Sequence, residues 1–132
     1  MNGETKTSEQ ISTFLKFLER IEKDYAWALQ EESKAEAESQ DRLHQLELLG
    51  LSYHDQAKIA KQLKECRIRR RVMKDTVLVY TPIMEFIESE KGKILIGQLQ
   101  QVLGKVRKEE RRLGERTYTP KVLSKEEFLA FH

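Results

Sequence analysis

An apolar stripe with few polar interruptions runs along each of two long stretches of the chain, at the three- and four-residue spacing of an α-helix. The first stripe consists of Ile11, Phe14, Leu18, Ile21, Tyr25, Ala28, Glu32, Ala35, Ser39, Arg42, Leu46 and Leu49. The second consists of Ile59, Leu63, Cys66, Arg70, Met73, Val77, Tyr80 and Met84. A turn at residues 50–52 separates the two stretches. The pattern therefore predicts a long antiparallel helical hairpin.

The position of the turn predicts the register of this hairpin. If the chain reverses at Leu51, residues at equal distances before and after it face each other, so Leu18 lies near Met84. Glu32 then faces Arg70, and these are the only oppositely charged residues at mirrored seam positions. We therefore expect a Glu32 to Arg70 salt bridge in the seam, where it specifies register more than it adds stability.

Capping signals predict where these two helices begin and end. Thr7 or Ser8 can cap a first helix that runs to about residue 49. Ser52 and Asp55 resemble a capping box for the second helix, which we expect to reach about residue 79. The pair Thr81-Pro82 then either kinks that helix or starts a short new one through residue 88.

The remainder of the chain predicts two shorter helices. After a turn at residues 90–92, a helix with Leu95, Leu99, Val102, Val106 and Leu113 on its seam ends near residue 114. Residues 116–120 should be extended because Pro120 disfavours helix in the residue before it. Ser124 and Glu127 form a capping box for a last short helix, whose aromatic end we expect to dock on the bundle or on a second copy.

These elements predict an all-α fold, a long antiparallel helical hairpin plus two shorter helices in a bundle that oligomerises. We divide the chain into a polar N-terminal lead (1–7), the helical hairpin and bundle (8–115), and an extended segment with a short C-terminal helix (116–132). With 35% charged residues, the chain suits long helices with solvated outer faces. Oligomerisation would cover the surplus apolar stripe.

Charge is segregated along the hairpin although the whole chain carries only +2. Residues 19–47 hold nine acidic and four basic residues, whereas residues 58–74 hold eight basic and one acidic. Because the hairpin places these stretches side by side, one expectation is that much of the basic run 67–71 is neutralised internally. The other is that its basic side chains are exposed.

Two basic surfaces are the functional candidates. One lies on the second helix and the other near the end of the penultimate helix, and their residues expected to contact phosphate or carboxylate groups are Lys64, Arg67, Arg71, Arg107, Arg111 and Arg112. If the two surfaces merge, they form a polyanion site with Tyr118 available to stack. The alternative is that these long side chains only solvate the outside of a bundle.

Few residues suggest catalytic chemistry. Cys66 is the lone cysteine and lies on the apolar seam, which favours a buried structural role in a reducing compartment. His44, Asp41 and Glu47 share one helix face, a trio that chance alone explains on so charged a helix. Gly97 and Gly104 share another face and favour a packed neighbouring helix over a small-molecule site. We expect no enzyme activity, cofactor, metal or membrane span, and a cytoplasmic location.

The order of several short motifs resembles small uncharacterised helical proteins encoded by phages and prophages of Gram-positive bacteria. The resemblance spans roughly residues 40 to 123. Its motifs are 43–48 (LHQLEL), 61–67 (KQLKECR), 70–75 (RRVMKD), 89–93 (SEKGK), 102–105 (VLGK) and 116–120 (RTYTP). It carries no known activity, but small phage proteins without catalytic motifs commonly act by binding.

The leading hypothesis is therefore a non-enzymatic, phage-type binding protein. Its basic helix faces would engage a nucleic-acid-handling host or defence complex, or the nucleic acid itself, in host takeover or counter-defence. The alternatives are a structural or assembly protein that forms coiled-coil oligomers, and sequestration of a small anionic nucleotide signal. An enzyme with carboxylates around a metal is the weakest of the readings.

Overall fold

The computed structural model describes residues 6–131 and contains four α-helices in that range. They are α1 (Thr7–Leu48), α2 (Tyr53–Glu88), α3 (Glu90–Gly114) and α4 (Lys125–Phe128). The described residues include no strand, which confirms the predicted all-α class. Most of the predicted polar lead lies at residues 1–5, outside the described range.

Helices α1 and α2 pack against each other as the predicted hairpin. Every residue of the predicted α2 stripe is buried or half-buried, and so is the α1 stripe except at Phe14 and Leu49. Ala28, Ala35 and Cys66 are fully buried. Small side chains along the seam allow the two backbones to approach closely, so the hairpin core is narrow.

The start of α2, at the hairpin turn, follows the predicted capping chemistry. The start of α1 does not. Ser52 Oγ accepts the Asp55 N–H at 3.2 Å and caps α2. Helix α1 begins at Thr7 without a side-chain cap of its own. Instead the Ser8 N–H donates to Glu110 Oε2 of α3 at 3.2 Å. A carboxylate from another helix therefore takes the place of the predicted Thr7 or Ser8 cap.

Helix α2 continues through Pro82 to Glu88, and no new helix begins at Thr81. The Thr81 hydroxyl donates to the Val77 carbonyl at 2.6 Å. This bond lies beside the Leu78 carbonyl. That carbonyl has no helical hydrogen-bond donor, because Pro82, four residues later, has no backbone N–H. The predicted end near residue 79 is therefore wrong, and α2 is one long helix.

The turn between α2 and α3 is a single residue, Ser89, rather than the predicted residues 90–92. Ser89 Oγ accepts the Gly92 N–H at 2.9 Å, which starts α3 directly. Gly92 is buried, and a Cβ there would collide with the Phe86 carbonyl oxygen. Glycine at this position permits the close approach of the two helices.

This junction also decides which face of α3 packs. The buried and half-buried positions of α3 are Gly92, Ile96, Gly97, Leu99, Leu103, Val106 and Glu110. The predicted seam residues Leu95, Val102 and Leu113 are exposed instead. Leu99 and Val106 are half-buried as predicted. Ile96 and Leu103 take the places expected for Leu95 and Val102, because Gly92 lies against α2 and turns its own helix face inward.

The last part of the chain folds on itself. Ser124 Oγ accepts the Glu127 N–H at 3.1 Å, as predicted, and caps the one-turn helix α4. Among the residues that the structure describes, α4 makes no packing contact with α1, α2 or α3. The expected docking on the bundle is therefore not observed, and docking on a second copy stays a prediction.

Candidate functional site

The basic run of α2 divides between two faces of the helix. On the inner face, Arg70 pairs with Glu36 of α1, and Arg69 Nη1 lies 3.6 Å from Glu38 Oε1. Both pairs cross the hairpin, so these two arginines are neutralised internally. The prediction that α1 neutralises the basic run is thus correct for Arg69 and Arg70.

The partner of Arg70 differs from the predicted one. Glu32 is absent from the ion pairs of residues 6–131, and Arg70 pairs one helical turn nearer the loop, with Glu36. Side chains on a helix lean toward its N-terminus. In an antiparallel pair, an α2 side chain therefore leans toward the C-terminal part of α1, which displaces side-chain partners from the backbone register.

A small polar cluster interrupts the apolar seam beside these pairs. The Cys66 thiol donates to Glu38 Oε2, and Arg42 Nε lies 3.9 Å from the same oxygen. The thiol hydrogen bond, supported by Arg69 and Arg42, lowers the pKa of the Glu38 carboxyl. Burial, followed by the bond to Glu38, raises the pKa of Cys66, so the thiol stays protonated. This cluster joins α1 to α2 through the buried Cys66 thiol, the Glu38 carboxylate and two arginines.

The outer face of α2 carries the first set of predicted site residues. Lys64, Arg67 and Arg71 line one open groove of about 480 Å³. The groove is also lined by Ala60, Leu63, Ile68 and Val72. Within residues 6–131, none of the three cations has an acidic side chain within 4.0 Å. The groove, which we call the α2 basic groove, combines exposed positive charge with an apolar floor.

This combination limits what the groove can bind. Guanidinium groups hold carboxylates and phosphates through paired hydrogen bonds. Arginine beside exposed aliphatic side chains is typical of protein interfaces. Ile68 and Val72 place apolar side chains beside these cations on the same side of α2.

The second predicted basic surface lies at the other end of the molecule. Arg107, Arg111 and Arg112 are exposed on α3, and Arg112 pairs with Glu109 of its own helix at 2.9 Å. Their neighbour Glu110 bonds the start of α1 at Ser8, and this hydrogen bond lowers the pKa of Glu110.

The two basic surfaces do not merge. Glu36 of α1 pairs with the α2 basic run, and Ser8 of α1 pairs with Glu110 beside the α3 arginines. These α1 residues are separated by about 42 Å along the helix. The predicted combined polyanion site is therefore not formed within one copy of the chain.

Tyr118 lies apart from the α2 basic groove. Its ring packs against Phe128 with 5.5 Å between ring centroids. The two rings line a hollow of about 660 Å³ formed by residues of the C-terminal segment, from Thr117 to Leu129. Tyr118 is thus part of the small C-terminal fold, and its predicted stacking beside the basic residues of α2 is not observed.

The remaining candidates are the trio of His44, Asp41 and Glu47 and the glycines Gly97 and Gly104. His44 Nδ1 lies 3.5 Å from Glu47 Oε2, and both side chains are exposed on α1. Across residues 6–131, no group of three or more His, Cys, Asp or Glu side chains is arranged to hold a metal ion. Among the described residues, a Cβ on Gly97 or Gly104 would meet nothing within 4 Å, so the predicted helix packing against these glycines is not found there.

The apolar half of the α2 basic groove was missed in the sequence. Ile68 and Val72 are four residues apart and follow Lys64 at helical spacing, so they share the groove side of α2. The signal was therefore present. Neither residue belongs to the inner stripe of α2, which is the face that the apolar periodicity predicts.

Comparisons of the chain with known protein families, with curated proteins and with solved structures returned no match. In the described part of the chain, no helix combines the length and the apolar character that crossing a bilayer requires.

Proposed function

We propose that the protein is a non-enzymatic binding protein that uses the α2 basic groove to engage an acidic surface of a nucleic-acid-handling complex. The observation that supports this most is the exposure of Lys64, Arg67 and Arg71 around an apolar floor. These cations are available for an external carboxylate or phosphate, whereas Arg69 and Arg70 are held by α1. The resemblance to phage-encoded helical proteins supports a role in host takeover or counter-defence.

Nucleic acid itself is the nearest alternative ligand. Phosphate contacts release counterions, so its binding would weaken steeply with salt. Apolar contacts at Ile68 and Val72 would instead leave part of the affinity insensitive to salt. The salt dependence therefore distinguishes a nucleic acid from an acidic, partly apolar protein surface.

The test measures binding of the full chain to fluorescent single-stranded DNA, double-stranded DNA, RNA and an acidic helical peptide that contains leucine, each across a salt series. The variant Arg67→Gln/Arg71→Gln removes two charges from the groove. The matched control Arg69→Gln/Arg70→Gln removes two charges from the same stretch of sequence but from the inner face.

We expect the acidic peptide to bind most tightly and the groove variant to weaken it at least about tenfold, because each charged contact contributes on the order of 1.5–3 kcal/mol. The control should bind like the wild type. Equal loss in both variants would mean that only net charge matters. Binding of nucleic acid alone, with a salt slope that falls by about one per removed arginine, would assign the groove to nucleic acid.

An assembly protein is the second candidate function. The observation that favours it is an exposed apolar stripe on α2 that includes Val79 and Phe86. Under that function, substitutions in the stripe would abolish assembly, whereas the groove variant would leave assembly unchanged.

A further inference from the structure

The end of α3 presents a continuous arc of positive charge. Five exposed basic residues lie within about two turns, and we call them the α3 basic end: Lys105, Arg107, Lys108, Arg111 and Arg112. At about 100° per residue, Lys105 and Arg107 project about 160° apart, and the other three project between them. Gly104 projects into the middle of this arc, where a Cβ would meet nothing within 4 Å. The arc is therefore open to a ligand.

The two acidic residues of this stretch project outside the arc and are both engaged. Glu109 Oε2 accepts a hydrogen bond from Arg112 Nε at 3.0 Å. Glu110 is half-buried and accepts the Ser8 N–H at 3.2 Å. Among residues 6–131, the other four cations of the α3 basic end have no carboxylate within 4.0 Å. Their charge is therefore free to act on an external anion.

Helix α1 contributes a further cation beside this arc. The pKa of Glu110 is lowered by its hydrogen bonds to Ser8 and, to a smaller extent, by the charges of Lys6 and Arg107. Lys6 is exposed at the N-cap of α1. The packing of α1 on α3 thus brings a sixth cation close to the α3 basic end. Glu115, exposed at the C-cap of α3, is the first acidic residue after it along the chain.

The amount of charge suits a double-stranded nucleic acid. The α3 basic end extends about 10.5 Å along the helix axis from Lys105 to Arg112. Double-stranded DNA carries one phosphate charge per about 1.7 Å of its axis, which gives about six phosphates over that length. One strand alone carries about three over the same length. Five cations, with Lys6 beside them, match the duplex better.

The chemistry of the arc also favours a duplex. Between residues 104 and 112 the arc contains no apolar or aromatic side chain, because Val106 lies on the packed side of α3. Proteins that hold single strands stack the exposed bases on aromatic rings, and the ring of Tyr118 packs on Phe128 instead. The α2 basic groove differs because its cations surround apolar residues. A duplex, whose bases are stacked internally, needs only the cations.

We propose that the α3 basic end binds the phosphate backbone of a double-stranded nucleic acid. Phosphate contacts carry no sequence information, so this binding has little sequence preference. Because the α3 basic end and the α2 basic groove lie on different helices, this inference does not depend on the proposed function.

Binding of the full chain to a short labelled DNA duplex, followed by fluorescence anisotropy across a salt series, tests the proposal. The variant Lys108→Gln/Arg111→Gln removes two exposed cations from the α3 basic end. The matched control Arg67→Gln/Arg71→Gln removes two exposed cations from the α2 basic groove, so both variants have the same net charge. An RNA duplex, single-stranded DNA and the acidic peptide that contains leucine are the further probes.

We expect the affinity of the wild type for the DNA duplex to fall steeply as the salt concentration rises, because phosphate contacts release counterions. The α3 variant should bind the duplex at least about tenfold more weakly, since it loses two charged contacts. Its salt slope should fall by about two, or about one per lost phosphate contact. The control should bind the duplex like the wild type. Circular dichroism of both variants should match the wild type, because the substituted side chains are exposed.

Several outcomes would overturn the proposal. Equal losses in the two variants would show that only net charge matters. Absence of duplex binding by the wild type at low salt, or tighter binding of single-stranded DNA than of either duplex, would exclude a duplex ligand. Loss of the acidic peptide instead of the duplex in the α3 variant would assign the α3 basic end to a protein. Binding of the DNA or the RNA duplex supports the proposal, and the tighter of the two identifies the source of the phosphates.

The same two variants separate this inference from the proposed function. Duplex binding should be lost only in the α3 variant, and binding of the acidic peptide only in the α2 variant. If the peptide does not bind, the proposed function fails and the duplex result still stands. If the duplex does not bind, this inference fails and the peptide result still stands.

The variant Glu109→Gln gives a test of opposite sign. It releases Arg112 and removes a negative charge beside the arc, so the affinity for the duplex should rise about twofold to fivefold, as expected for loss of an exposed ion pair. The matched control Glu65→Gln removes one exposed carboxylate from α2 and should leave the affinity unchanged. A weaker duplex affinity in Glu109→Gln, or an equal rise in both variants, contradicts phosphate contacts at the α3 basic end.

Discussion

The two faces of α2 show how differently one helix can use similar residues. Arg69 and Arg70 pair with Glu38 and Glu36 of α1, whereas Arg67 and Arg71 line an open groove and have no carboxylate within 4.0 Å among residues 6–131. Because about four consecutive residues of a helix cover every direction around its axis, adjacent charges in a sequence need not share an environment. The local charge count therefore says little about which arginines are available.

The largest expected effect contrasts two isoleucines on these faces. Ile59 is 8% exposed in the seam, and Ile68 is 54% exposed in the groove. Ile59→Ala should lower the free energy of unfolding by about 2–5 kcal/mol, since it leaves a cavity, and Ile68→Ala by about 0.5 kcal/mol or less. Urea denaturation followed by circular dichroism measures both. Equal losses would mean that Ile68 is covered in solution.

A smaller difference is expected between the arginines. Arg70→Ala removes a partly exposed ion pair and leaves Glu36 without its partner, so it should cost up to about 1 kcal/mol of stability. Arg71→Ala should leave stability unchanged within about 0.5 kcal/mol and weaken binding in the groove. We therefore expect Arg70→Ala to affect mainly stability and Arg71→Ala to affect mainly binding. A binding loss in Arg70→Ala as large as that in Arg71→Ala would contradict the division between faces.

The smallest expected effect is a pH dependence of the stability, which arises from Glu38 on the inner face. The pKa of Glu38 is lowered in the folded chain, mainly by the Cys66 hydrogen bond. A lowered pKa stabilises the folded chain at pH values above the usual pKa range of a carboxyl group. This stability is lost as the pH falls through the folded-state pKa. Thermal unfolding between about pH 7 and about pH 3 should therefore depend less on pH in Glu38→Gln than in the wild type.

The control for this prediction is Glu36→Gln, which removes a neighbouring inner-face carboxylate that lacks the thiol bond. Its unfolding should keep the wild-type pH dependence due to Glu38. Part of the dependence should persist in Glu38→Gln because Glu110, bonded to Ser8, also has a lowered pKa. Identical pH profiles for all three proteins would show that the Cys66 bond does not hold Glu38 ionised.

Sequence periodicity predicted the inner seam well and the other surfaces poorly. The α2 stripe from Ile59 to Met84 is buried or half-buried throughout, because its helical spacing places all of its residues on the face toward α1. On α3 the same method chose Leu99 and Val106, which are half-buried, but also Leu95, Val102 and Leu113, which are exposed. That helix has apolar residues on two sides, and only the contact between Gly92 and α2 selects one of them.

The candidate site was predicted in part. Lys64, Arg67 and Arg71 do lie together in one groove, since they are spaced by three and four residues on one helix. The α3 arginines and Tyr118 do not join them, because the distance between helices depends on register and on the direction of α3 after Ser89. Periodicity along one helix carries no information about that direction.

The sequence by itself determined the all-α class, the hairpin, the cap at Ser52 and the capping box at Ser124, because each depends on residues close together in the chain. Tertiary structure alone decided that Arg70 pairs with Glu36, that Glu110 caps the start of α1, and that the two basic surfaces stay apart. These features depend on how side chains lean and how helices cross, which are properties of two elements rather than of one.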